Sequence, residues 1–163
     1  MTTPQQSTMT IDQFGTKHWS NINNKLHRID GPAVEYANGG KYWYLDGKLH
    51  RIDGPAVECA DGGKEWYVDG KRHRVYGPAI ECADGGKYWW LDGKLHRIDG
   101  PAVEWADGYK EWYLDGKRLS KKEFDQQNKQ MKEAAEQAKM AVNASCCGKI
   151  VEIDGKKYKL VEV

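Results

Sequence analysis

The chain of 163 residues carries a net charge of +1 with 30% charged residues, so it lacks the basic surplus that neutralises phosphates along an extended nucleic-acid groove. No apolar run approaches the ~18 residues of a transmembrane segment, residues 1–20 lack the charged start and apolar middle of a signal peptide, and four cysteines are too few for a disulfide scaffold. A soluble, cytoplasmic protein is expected, and seven Trp and nine Tyr against two Phe supply aromatic area with polar handles, suited to half-exposed faces and binding surfaces.

Residues 1–13 carry Thr, Gln, Ser and Pro with little to pack, and read as a flexible arm. Residues 14–24 read as a degenerate capping half-repeat in which Trp19 stands where Trp43 stands in the first full unit. From Lys25 a 23-residue phrase, Lys-Leu-His-Arg-Ile-Asp-Gly-Pro-Ala-Val-Glu-Tyr-Ala-Asn-Gly-Gly-Lys-Tyr-Trp-Tyr-Leu-Asp-Gly, is written four times without a gap, restarting at Lys48, Lys71 and Lys94 and ending at Gly116. A fixed period of this size signals stacked supersecondary units that share one continuous core. Within each unit Asn-Gly or Asp-Gly closes both halves, at Asn38-Gly39 and Asp46-Gly47 in the first, the strongest short-range hairpin signal. The runs between them have strand composition and no helical spacing. The expected fold is all-β, a single curved antiparallel meander of hairpins across residues 25–116.

If both turns are two-residue loops, residues facing each other across a hairpin share a face of the sheet. Val34, Trp43, Leu45, His50 and Ile52 then form the core side, and Glu35, Tyr42, Tyr44, Leu49 and Arg51 an amphipathic outer side. Asp53-Gly54-Pro55 interrupts the longer arm with a bend, because proline cannot donate to a ladder.

The period ends after Gly116, and one α-helix is expected within residues 117–145, starting after Ser120 because Ser120-Lys-Lys-Glu123 matches a capping box. Its Ala-rich apolar stripe suits packing or a small helical assembly. Residues 146–163 read as a C-terminal β-hairpin around Asp154-Gly155. Two strands alone are marginal in water, so residues 121–163 are expected to support a homo-oligomer.

Recurring His27, His50, His73 and His96 resemble metal ligands only at first sight. With two strands per unit, equivalent side chains lie ~10 Å apart, too far to share a zinc ion bound at about 2.0–2.3 Å. They and the adjacent arginines read as ties between hairpins, with Glu35, Glu58, Glu81 and Glu104 as partners for Arg. Equivalent spacing leaves Cys59 and Cys82 as free, small core residues. Trp43, Trp66, Trp89 and Trp112 form a core ladder. Tyr44, Tyr67, Trp90 and Tyr113 form an outward row beside Arg51, Arg74 and Arg97, fit to stack on flat rings or grip a partner protein. The third unit departs most, with Arg72, Val75-Tyr76 and Trp90 in place of Leu, Ile-Asp and Tyr. The candidate ligand-binding set is therefore Arg72, Arg74, Tyr76, Trp90, Arg51, Tyr67, Arg97 and Tyr113, fit for an anionic or aromatic ligand; the alternative is drift in a redundant array. No catalytic residue, cofactor or metal is expected.

The 23-residue unit, with its Tyr-Trp-Tyr-Leu-Asp-Gly-Lys-Leu-His-Arg centre, resembles the MORN repeat family over residues 25–116. The variant His-Arg-Ile-Asp-Gly-Pro-Ala-Val-Glu looks like repeats in proteins of large tailed bacteriophages. The first resemblance implies a non-enzymatic binding or scaffold module, the alternatives being capture of a partner and organisation of proteins or a membrane surface. The second implies a counter-defence factor that sequesters a host protein or a small nucleotide-like signalling ligand.

Overall fold

The computed structural model describes residues 7–146, 150–153 and 156–159, with side chains through residue 139. The chain divides into two compact units, Met1–Ser120 and Lys121–Val163. Among the described residues the first unit is an eleven-stranded antiparallel sheet in meander order, as the repeat predicts. Its first strands are β1 (Thr8–Ile11) and β2 (Lys17–Ser20), paired to each other, with β2 paired onward to Val34–Glu35. Residues 8–11 are thus a strand and not part of a flexible arm; residues 1–6 lie outside the described residues.

The two turns of each unit differ. At Asp46-Gly47 both residues take positive φ, 50° and 82°, and Leu45 faces Lys48 across a two-residue turn, as the dipeptide predicts. At Asn38-Gly39 the ladder pairs Glu35 with Lys41 and Val34 with Tyr42. Here the N–H of Tyr36 donates to Gly40 O at 2.8 Å, the Asn38 side chain accepts from the N–H of Gly40 at 3.1 Å, and Gly39 has φ 95°. The loop is three residues long, so the register is one residue away from the two-residue expectation. Because side chains alternate with period two, a one-residue slip moves a strand's whole set to the other face.

The consequence corrects the face assignment. Val34 shares its face with Tyr42, while Glu35 stands opposite Lys41 on the other face. Along that second face Lys17, Glu35, Lys41, Glu58, Lys64, Glu81, Lys87, Glu104 and Lys110 are successive cross-strand neighbours, an unbroken alternation of charge. Opposite charges placed directly across a ladder favour this register over its neighbours. The buried core is the Ala-Val pair of each unit: Ala33, Ala56, Ala79 and Ala102 are fully buried, with Val34, Val57 and Val103 at most 4% exposed. Two consecutive buried residues mean that both sheet faces are covered there. Ile52, expected in the core, is 87% exposed, because the chain bends at residues 52–54 before alternation can carry it inward. The Trp row is half-buried. Cys59 and Cys82 are free thiols, half-buried rather than core, and burial raises both pKa values.

Each unit hands its ladder on at tryptophan. The Trp43 N–H donates to Ala56 O at 2.8 Å, and Trp43 O accepts from the His50 N–H at 3.0 Å, so one residue joins the next unit's core to its own hairpin. Beyond it, Tyr44–Leu45 and Lys48–Leu49 form a separate two-stranded ribbon.

Residues 117–119 extend the sheet as a strand against Trp112–Leu114 instead of opening a helix. The second unit holds α1 (Lys121–Cys146), starting directly after Ser120 as the capping-box pattern predicts. Ile150–Ile153 and Lys156–Lys159 pair as an antiparallel hairpin.

Candidate binding surface

Each unit carries an arginine clasp. Arg51 lies 4.0 Å above the Trp43 ring centroid. Its Nε donates to Asp53 at 2.9 Å, and its Nη1 donates to Pro55 O at 3.2 Å and to Glu58 at 3.1 Å. Arg28 over Trp19 and Arg97 over Trp89 repeat the arrangement at 4.1 and 3.8 Å. The Arg28 clasp confirms Trp19 as the counterpart of Trp43. Gly54 makes room for it, since a Cβ there would sit 3.0 Å from Arg51 Cζ. The Asp53 pKa is lowered, chiefly by the hydrogen bond from Arg51. The expected Arg–Glu ties are therefore present, and the donors that might have met a ligand are occupied within the chain.

The histidines serve the turns. The Asp46 N–H donates to His27 Nδ1 at 3.1 Å, and Asp46 Oδ1 lies 3.0 Å from the same nitrogen. Three further pairs, His50 with Asp69, His73 with Asp92 and His96 with Asp115, show separations of 2.9–3.1 Å. Each histidine thus holds the left-handed aspartate of the following unit's turn. Among the described residues, no group of three His, Cys, Asp or Glu has the arrangement of a metal site.

On the opposite face, which carries Val57 paired with Glu65, a second cluster forms. Arg72 Nε donates to Glu65 at 3.1 Å, the Tyr67 hydroxyl donates to Glu65 at 2.8 Å, and Arg72 lies 5.7 and 5.4 Å from the rings of Tyr67 and Trp90. Burial first, and then the Glu65 hydrogen bond, push the Tyr67 pKa up to about 12. The fourth unit repeats the cluster: Tyr113 donates to Glu111 at 2.8 Å and Arg118 pairs with Glu111 at 2.6 Å.

The structure therefore divides the expected site. Tyr67, Arg72 and Trp90 come together on one face, and Tyr113 stands in the equivalent cluster of the fourth unit. Arg51, Arg74 and Arg97 belong to the Trp face, not beside the Tyr44 row, because Arg51 N–H donates to Tyr67 O and the chain turns the side chain back over its own Trp43. Tyr76 projects from a loop and is 89% exposed. Two features escaped the sequence reading. Units one and three carry Tyr42 with Leu49 and Tyr88 with Leu95, whereas units two and four carry Glu65 with Arg72 and Glu111 with Arg118. That 46-residue superperiod was visible in the sequence and explains Arg72 as half of an ion pair. The other feature is a ridge of exposed apolar side chains, Ile29, Ile52, Val75 and Ile98, recurring once per unit. Their period was visible, but their exposure was not.

Clefts lie between successive loops of this ridge. One of about 510 Å³ separates residues 28–32 from 51–53, and one of about 400 Å³ separates residues 74–77 from 97–99. No protein-family model and no curated protein matches the chain. Among the described residues no helix is long and apolar enough to cross a membrane.

Proposed function

We propose that this chain is a non-enzymatic binding protein that captures a partner along the ridge of its repeat loops. The observation that carries the reading is the contrast within each unit. The arginine and histidine groups that might do chemistry are held by Trp, Asp and Glu, while Ile29, Ile52, Val75, Tyr76 and Ile98 are 56–89% exposed in one repeating row. Contiguous exposed apolar surface rimmed by polar residues is characteristic of interaction sites. Sequestration of a host protein or a small ligand, as a bacteriophage counter-defence factor acting in the host cytoplasm, is the form of binding proposed; its support is the likeness of the His-Arg-Ile-Asp-Gly-Pro-Ala-Val-Glu unit to phage repeats. Self-association through residues 121–163 is part of the proposal, supported by α1 being exposed on every side from Lys129 to Lys139.

The test compares immobilised wild-type protein with Ile29→Asp/Ile52→Asp/Ile98→Asp in host lysate, with captured proteins and small molecules quantified by mass spectrometry. Loss of a stoichiometric partner by ~10-fold or more, at unchanged melting temperature, is expected if these apolar anchors dominate. Equal capture by both proteins rejects the ridge.

A further inference from the structure

We infer that the third loop, at Arg74, is a binding site for a carboxylate carrying an apolar or aromatic body. The inference deepens the proposed binding role by naming the ligand chemistry at one position of the ridge, and for its biological use it rests on that role.

The repeat supplies its own template. In three clasps the arginine Nε donates to an aspartate two residues on, at 2.9 Å for Arg28 and Asp30, 2.9 Å for Arg51 and Asp53, and 2.7 Å for Arg97 and Asp99. In the remaining clasp that aspartate is replaced by Tyr76. The rest of the clasp is intact: Arg74 lies 3.7 Å above the Trp66 ring, and its Nη1 donates to Pro78 O at 2.9 Å and to Glu81 at 2.8 Å. The guanidinium plane is thus held as in the other units, with its Nε edge toward the position where they present a carboxylate.

Three observations mark that edge as accessible. Among the described residues no partner accepts from Arg74 Nε, whereas each of the other three clasps fills it. The Arg74 side chain is 29% exposed, against 20–22% for Arg28, Arg51 and Arg97. Tyr76 does not cover it, being almost wholly in solvent, and Gly77 takes φ 114° where the equivalent Gly31, Gly54 and Gly100 have no positive φ. The loop therefore follows a different path at the one unit lacking the aspartate.

Charge and shape select the ligand. Each of the other arginines faces two carboxylates, but Arg74 faces Glu81 alone, so a monoanion restores the local balance of the repeat. The Nε and Nη2 donors form a planar fork matched to both oxygens of a carboxylate. The adjoining cleft of about 400 Å³ is lined by Val75, Tyr76, Leu91 and Ile98 beside the arginines, which accommodates an apolar body attached to that carboxylate. A free aromatic or aliphatic acid and the C-terminal end of a partner chain share this chemistry.

The test uses the full chain and follows arginine Nε–H resonances by NMR. The probes are 3-phenylpropionate, its neutral amide, inorganic phosphate, and acetyl-Gly-Phe with a free or amidated C-terminus. The expected result is a saturable shift of the Arg74 Nε–H by 3-phenylpropionate at about millimolar concentration, as befits a ligand of this size, with the amide at least ~10-fold weaker. Tyr76→Asp returns the in-chain carboxylate and abolishes the response. Asp53→Ala creates the same opening at Arg51 and produces a new saturable Arg51 shift. Tighter binding of the free-ended peptide than of phenylpropionate assigns the site to a chain end; the reverse order assigns it to a small acid. An equal response to the amide or to phosphate, a response that survives Tyr76→Asp, or no saturable Arg74 shift overturns the inference. The Ile29→Asp/Ile52→Asp/Ile98→Asp comparison reads partner capture and not the Arg74 resonance, so failure of the ridge and failure of the carboxylate site are seen separately.

Discussion

Arg72→Leu is expected to destabilise the array, and to do so only while Glu65 is present. Arg72 and Glu65 pair at 3.1 Å with side chains 37% and 25% exposed. An ion pair of that exposure is worth ~1 kcal/mol, between the values of surface and desolvated pairs. The two ring contacts at 5.4 and 5.7 Å add about 0.5–1 kcal/mol. Losing Arg72 thus costs about 1–2 kcal/mol once the apolar gain from Leu is subtracted. Glu65→Tyr costs a similar ~1–2 kcal/mol, because Arg72 and the Tyr67 hydroxyl both lose their acceptor. The double variant installs the Tyr-and-Leu combination that units one and three already use at Tyr42 with Leu49 and Tyr88 with Leu95, and is expected within ~0.5 kcal/mol of wild type. Equilibrium urea unfolding of the four proteins gives the coupling directly, expected at ~2 kcal/mol. Additive single effects, agreeing within ~0.5 kcal/mol with the double variant, would refute the pairing and leave the 46-residue alternation without a physical cause.

Two further outcomes test other parts of the structure. Gly54→Ala puts a Cβ 3.0 Å from Arg51 Cζ and 3.1 Å from its Nε, and a guanidinium held by a ring and three hydrogen bonds has little freedom to retreat, so a loss of about 1–3 kcal/mol in thermal unfolding is expected; an unchanged melting temperature would show the clasp to be loose. Tyr67, with its pKa raised from 10.0 to about 12 chiefly by burial and then by Glu65, contributes stability that is fully present below pH 10.0 and lost as pH rises through about 12. Ultraviolet titration should show one tyrosine ionising later than the others, moved to lower pH, though not to 10.0, by Glu65→Gln; no late-ionising tyrosine would contradict the burial of that hydroxyl.

Much of the fold is legible in the residues because its causes are local. The 23-residue period implies stacked equivalent units whatever their detail. Asp46-Gly47 demands a two-residue turn because both residues accept positive φ, and Ser120 with Glu123 announces a helix start through backbone donors that only nearby groups can satisfy. Spacing also ruled out a zinc site shared between histidines, since a ladder separates repeated residues too widely. The Arg–Glu ties followed from the same recurrence.

The candidate site was legible only in pieces. Arg74, Tyr76 and Trp90 stood out as departures from the repeat, but their division between two faces depends on register. Asn38-Gly39 is compatible with a two-residue or a three-residue loop, and the sequence by itself does not choose. The choice is made by the sheet, where the three-residue loop places Glu35 between Lys17 and Lys41 and buries Val34. The fate of Ile52 was hidden for a related reason: alternation predicts burial only while the strand continues, and the bend at residues 52–54 ends it.

Sequence by itself determined the array, its period, the turn at each Asp-Gly, the helix start and the residues that break the consensus, because each depends on backbone preferences or spacing within a few residues. Tertiary structure alone decided which face each side chain occupies, which arginines are held within the chain, and that Arg74 is the one whose Nε edge is not. Those outcomes depend on pairing between strands 23 residues apart in period, where a shift of one residue exchanges the two faces while leaving the local pattern unchanged.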